Sequence, residues 1–95
     1  MHAVEYSDRV EFISDESEGA AGEILAEVTF PTVEPGIADI NHTFVDPSLR
    51  GQGVAGELLD RAVAIIERDG KRARATCPYA IHWFEKHPER ADLLA

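Results

Sequence analysis

Cysteine is nearly absent from this 95-residue chain. Cys77 is the only one, so no disulfide forms within it, and no Cys/His spacing matches a metal site of the zinc type. Basic residues are also scarce: 9 lysines and arginines stand against 18 aspartates and glutamates, a formal net charge of -9. That balance excludes nucleic acid and anionic membranes as general partners. Long apolar runs are missing as well. The longest, Ala62-Val63-Ala64-Ile65-Ile66, is far too short to cross a bilayer. Met1 to Asp8 lacks the basic and apolar stretches of a secretory signal, so a soluble, cytoplasmic protein is expected.

What remains is ordinary globular material. With 44% hydrophobic and 28% charged residues the chain is not of the disordered class, and its length predicts one domain over 1–95. So short a chain buries a modest share of its surface, so ligand binding or formation of a homodimer is expected to matter to its stability. The charge is uneven. Residues 1–46 hold 11 acids and one base, Arg9, whereas residues 47–95 hold 7 acids and 8 bases. Solubility accounts for this simply; a division of labour, with an anionic ligand on the second half and a cationic one near the first, is the sharper alternative.

The first half alternates in the manner of strands. Val10, Phe12 and Ser14 alternate with Glu11 and Ile13, and a polar turn follows from Asp15 to Gly22. Ile24, Ala26, Val28 and Phe30 then share one face. Pro31 to Gly36 reads as a turn. Ile37 to Val45 reads as a third strand, with Ala38, Ile40, His42 and Phe44 on one face and Asp39, Asn41 and Thr43 on the other. These strands with short turns predict an antiparallel meander. After Asp46-Pro47 the period becomes helical: Val54, Ala55, Leu58, Leu59, Ala62, Val63 and Ile66 form a stripe, with Glu57 and Arg61 paired outside it and Gly70 as the stop. Arg72 to Cys77 alternates again, Pro78 ends it, and Tyr79 to Lys86 reads as a second, short helix that Pro88 closes or restarts.

The most informative stretch is Arg50-Gly51-Gln52-Gly53-Val54-Ala55-Gly56, between a strand and the long helix. No Ser, Thr, Asp or Asn stands from Leu49 to Val54 to cap the first amides of that helix. Bare amides, the positive end of the helix dipole and the charge of Arg50 together make an anion site suited to phosphate. Gly51, Gly53 and Gly56 also satisfy the dinucleotide pattern G-x-G-x-x-G. That fingerprint opens the first unit of a doubly wound sheet and is followed about 20 residues later by an acid. Here strands precede it, and Lys71, Arg72 and Arg74 occupy the later zone. No Gly-Lys-Ser/Thr follows, so a Walker loop fails too.

The same residues fit Arg/Gln-x-x-Gly-x-Gly/Ala as Arg50, Gly53 and Ala55, and here the chain resembles the GNAT superfamily of N-acetyltransferases. The resemblance extends to its short YjdJ-type members through the His42-Thr43 pair, the Cys77-Pro78-Tyr79 step, an aromatic helix and His87-Pro88-Glu89. It covers about Val10 to Leu94. It implies a minimal α+β fold: a three-strand antiparallel meander, then helix-strand-helix, in a central, mostly antiparallel sheet with helices packed on it. It further implies acetyl-CoA as co-substrate, with Arg50, Gly51, Gln52, Gly53, Val54 and Ala55 around its pyrophosphate. A backbone N–H near Phe44 or Val45 would polarise the acetyl carbonyl, and the acceptor would be an amine. No metal is implied.

Acyl transfer to an amine needs a base, an oxyanion donor and an acid for the leaving thiolate. His42 suits the base, or is a half-buried structural histidine sharing a face with Ile40 and Phe44. Cys77 suits a transient acetyl carrier, or is a small buried hydrophobe beside Ala73 and Ala75. Tyr79 suits the acid, or packs on Trp83. Trp83 and Phe84 are expected in the core, and His2, His82 and His87 at the surface. Larger members of the superfamily build the acceptor pocket with N-terminal helices, whereas this chain reaches its strands almost at once. The acceptor side is therefore expected to be open, or completed by a second subunit. An acidic border there would favour a cationic small molecule or a protein lysine. A CoA-binding or protein-interaction module without catalysis is the other reading of the same scaffold.

Overall fold

A computed structural model of the chain describes residues 1–16 and 21–95. The polar turn expected from Asp15 to Gly22 includes residues 17–20, outside the described residues. β1 (His2–Glu5), which sequence alternation did not announce, lies antiparallel on the edge of β2 (Arg9–Ile13). β2 pairs with β3 (Ile24–Thr29) so that Val10 faces Val28 and Phe12 faces Ala26, and all four side chains are buried. Ser14, just past β2, is buried but satisfied: its hydroxyl accepts from the Glu23 N–H at 3.0 Å.

The stretch Pro31 to Gly36 holds more than a turn. β4 (Thr32–Glu34) folds back on β5 (Ile37–Ile40) through Pro35-Gly36, where Gly36 sits at φ 76°, a conformation glycine adopts without a Cβ clash. The one strand expected over Ile37–Val45 is in fact two. β5 ends at Ile40, and β6 (His42–Val45) pairs with β3 in the other sheet, giving an antiparallel sheet β1-β2-β3-β6. At the joint, Asn41 donates its N–H to the Thr29 carbonyl (3.2 Å), and its side-chain oxygen accepts from the Thr29 hydroxyl.

This break shifts the pleat by one residue. Ala38 and Ile40 are buried, but beyond Asn41 it is Thr43 and Val45 that turn inward, opposite Val28 and Ala26. His42 and Phe44 turn outward. The expectation that His42 is half-buried on a face with Ile40 is therefore corrected: a slip of one residue exchanges the faces of a strand.

A 3-10 turn, Pro47–Leu49, follows β6, with the Asp46 carboxylate accepting from the Ser48 N–H at 3.0 Å. α1 (Val54–Arg68) then buries Val54, Leu58, Leu59, Ala62, Val63, Ile65 and Ile66. Its stop is a Schellman turn: Lys71 N–H donates to the Ile66 carbonyl and Gly70 N–H to that of Glu67, both at 3.0 Å, with Gly70 at φ 71°. The Glu57–Arg61 pair closes at 3.1 Å, and Arg61 also reaches Glu5 at 3.0 Å, tying the helix to β1.

α1 is the crossover that lets β7 (Arg72–Ala75) lie parallel to β5, giving a second sheet in the order β4-β5-β7. β7 ends at Ala75, so Cys77 is not its last residue. Cys77 instead begins α2 (Pro78–Lys86), with Pro78 at the first helical position, where a missing N–H costs nothing. Trp83 and Phe84 are buried, edge to face at 5.0 Å. Trp83 stacks on His87 rather than on Tyr79, and His87 Nδ1 lies 2.7 Å from the Trp83 carbonyl oxygen, so His87 is more than a surface histidine. Pro88–Leu93 continues as a 3-10 helix that buries Leu93.

Leu58, fully buried in the first turns of α1, tests this packing. Leu58→Ala is expected to lower stability by about 2–5 kcal/mol in urea denaturation. A loss near zero would mean that α1 does not seat there.

Candidate active site

The site grows from the point where the two sheets part. The Ile40 carbonyl is the last rung between β5 and the β7 side: it accepts from both Thr76 N–H (3.2 Å) and Cys77 N–H (3.1 Å). Thr76 also donates its hydroxyl to the Asp39 carboxylate, 2.9 Å from each oxygen. Beyond this clamp β6 turns away to β3 while the other chain turns into α2. The two lines diverge, and the glycine loop lies at the far end of β6.

At that loop the sequence expectation of an uncapped helix holds. Gly53 occupies the N-cap position at φ 74°, ψ 15°, and no side chain caps α1. Gly51 also has a positive φ, 82°. Arg50 is exposed, and its guanidinium has no hydrogen bond or ion pair among the described residues. A surface cavity of about 240 Å³ lies here, lined by Val45, Leu49, Arg50, Gly51, Gly53, Val54, Ala55, Gly56 and Tyr79. Free helix amides, a dipole end and an unpaired guanidinium on one concave surface suit an anionic group.

The structure thus brings together Val45, Arg50, Gly51, Gly53, Val54 and Ala55 with Tyr79, whose ring is partly exposed at the start of α2. It does not bring in the Gln52 or Phe44 side chains. Gln52 Nε2 donates back to the Ser48 carbonyl at 3.3 Å. Phe44 is exposed on the other face of β6, opposite Glu27 in the ladder. His42 stands on that same outer face, with Nε2 3.8 Å from Glu27 Oε1.

Cys77 is buried at the start of α2. Its sulfur lies 3.4 Å from Thr43 Oγ1, across the gap between the diverging strands. Burial pushes the thiol up, but the Thr43 hydroxyl and backbone N–H groups of Ala80, Tyr79 and Thr43 more than offset that, so its pKa falls below the ordinary value. The α2 amides approach the sulfur without closing a strict cap hydrogen bond. A helix N-terminus and a hydroxyl are both known means of favouring a thiolate. Thr43 is the residue sequence reasoning missed: it was set with Asp39 and Asn41 on the face away from Ile40, and was otherwise quoted as the partner of His42 in a dipeptide. The available signal was strand alternation, which sends neighbours 42 and 43 to opposite faces.

A family model described as GCN5-related N-acetyl-transferase matches residues 12–93. No curated protein matches. Among solved structures, the solution structure of a protein described as a GCN5-like N-acetyltransferase candidate from Staphylococcus aureus is similar over 99% of this chain and 87% of its own, at 28% identity and a TM-score of 0.76. The crystal structure of a protein described as a candidate phosphinothricin N-acetyltransferase is similar over 85% of this chain, at 24% identity and a TM-score of 0.62. This chain spans about half of that protein (52%), and the likeness there is one of fold.

Gly53 has no heavy atom within 4 Å of where a Cβ would stand, so its left-handed conformation, not crowding, demands glycine. Gly53→Val is expected to cost about 1–3 kcal/mol by urea denaturation. An unchanged midpoint would show that the loop is not held at positive φ.

Proposed function

We propose, because this chain belongs to the GCN5-related N-acetyl-transferase family, that it binds acetyl-CoA at the glycine loop and transfers the acetyl group to an amine. The observation that carries the proposal is the uncapped start of α1, with left-handed Gly53 and unpaired Arg50 on one concave surface. The residues present fit a CoA pyrophosphate: bare amides and a guanidinium to meet charge, and no side chain on Gly51 or Gly53 to obstruct approach. Bound there, acetyl-CoA supplies an activated thioester.

The chain's own residues divide the remaining work. Val45 and Tyr79, which line the loop cavity, border the path from the loop toward the gap where Cys77 sits. The Cys77 sulfur is placed to take the acetyl group, forming one S–C bond as the bond to CoA breaks. The Tyr79 phenol, beside the loop, is the group to give the departing CoA sulfur its proton. The incoming amine is neutral, and its nitrogen lone pair displaces Cys77 from the acetyl carbon, restoring the thiolate; the proton the amine sheds passes to solvent, from which the Tyr79 phenol is restored. His42, expected from sequence as the base, is turned outward beside Glu27, away from Cys77, and is not assigned that role. Glu27, half-buried on the outer face of the antiparallel sheet near His42, favours a cationic acceptor, a small amine or a protein lysine.

Calorimetric titration with acetyl-CoA is expected to give saturable heat, and Arg50→Ala to weaken binding about tenfold. Absence of heat in the wild type overturns the proposal. With amine acceptors present, release of free CoA above the hydrolysis background separates the enzyme from a binding module. Cys77→Ala is expected to lower that release sharply, and unchanged turnover would remove Cys77 from the mechanism. For a cationic acceptor, turnover is expected to fall as salt rises.

A further inference from the structure

Between β6 and the start of α2 there is no backbone ladder. The β5–β7 rungs stop at the Ile40 carbonyl, and β6 is paired only with β3. Across that gap the side-chain hydrogen bond among the described residues is Thr43 Oγ1 with Cys77 Sγ at 3.4 Å, and the Thr43 backbone N–H also acts on the sulfur. The β3–β6 register holds Thr43 there: Thr43 lies opposite buried Val28, and His42 opposite Thr29. Neighbours on a strand face opposite ways. A ladder that turns Thr43 toward Cys77 therefore turns His42 away from it. His42 is exposed and faces Glu27 across the outer surface.

We propose that Thr43, not His42, is the positioning residue for the Cys77 sulfur, orienting it across the gap and donating its hydroxyl proton to the thiolate. The thiol proton itself leaves to solvent, since threonine is no base. Three features support this. Among the described residues, the hydroxyl is the side-chain group hydrogen-bonded with the sulfur. The pair bridges the two sheets at the point where they part, so the sulfur's place depends on it. The lowering of the Cys77 pKa has the Thr43 hydroxyl as its largest favourable cause, against the opposing effect of burial. The other ionisable groups nearby are engaged elsewhere or turned away. Asp39 is tied to Thr76, Glu27 and His42 face outward, and Tyr79 is partly exposed at the loop cavity.

This deepens the proposed role of Cys77 and rests on it for its use in catalysis. Its test needs neither acetyl-CoA nor an acceptor, so the two can fail separately. The chain has a single cysteine, so the ultraviolet absorption of the thiolate, taken as the difference from Cys77→Ser, reports one group. The wild-type midpoint is expected below the ordinary thiol value of about 8.5. Thr43→Val, isosteric but without the hydroxyl, is expected to raise it by about one unit, leaving roughly tenfold less thiolate at a given pH. Thr43→Ser is expected to restore the wild-type midpoint, which a purely packing role would not require. A Thr43→Val midpoint equal to wild type overturns the proposal, and so does a rise in His42→Ala as large as that expected for Thr43→Val. If Thr43→Val does not fold, wild type and Thr43→Ser still decide: a midpoint at or above the ordinary value in either one overturns it.

Discussion

The structure turns on one carbonyl. Ile40 accepts from both Thr76 and Cys77 and is the last hydrogen-bonded link between β5 and the chain that leaves β7. Along one edge the β5–β6 stretch is met by β4 and then by β3; along the other, only β5 is met, by β7. Past Ile40 that second edge is left without a ladder, which opens a gap whose walls are β6 and the first turn of α2. The glycine loop, the start of α1, Tyr79 and Cys77 are all disposed around it. Had β5 and β6 run on as one strand, the hydrogen bonds that would be gained would close the place where the candidate chemistry sits.

The same parting accounts for the charge pattern noted in the sequence. The loop and helix that favour an anion belong to residues 47–95, where acids and bases nearly balance. The strongly acidic first half supplies β1 to β6; on the sheet face away from α1, Glu27 is half-buried and Glu11, its cross-strand partner, is buried. Arg9, reaching Glu11 at 3.2 Å, and His42, near Glu27, temper the repulsion of that cross-strand pair. An acidic protein can thus present a local anion site, because bare amides and Arg50, which has no ion pair among the described residues, act at short range, although Glu57 stands in the first turn of α1.

Much of this was legible from residue order. The α1 stripe was read with six of its seven buried positions, and its glycine stop and Glu57–Arg61 pair stand as expected. The lack of a cap could be read because a cap requires a particular side chain at a particular place. The faces of β2 and β3 followed from alternation, except that Ile24, expected with Ala26, Val28 and Phe30, is exposed. Less legible were β1 and β4, which are short and mostly exposed and so carry little apolar signal. The division at Asn41 was not legible, and with it went the placement of His42 and Phe44. A single polar residue inside an alternating run looks like one more outward position, whether or not the strand changes sheets there.

Sequence by itself therefore determined the local elements: which segments alternate, where the helix begins bare and where it ends, and which loop could meet an anion. Those features depend on residues near each other along the chain, through periodicity and backbone chemistry. Tertiary structure alone decided which residues face one another across the gap. That Thr43 meets Cys77, 34 positions away, while His42 looks outward depends on a one-residue shift of pleat at Asn41, where the pairing with β4 gives way to the pairing with β3. That shift is settled by long-range pairing, and no local pattern records its outcome.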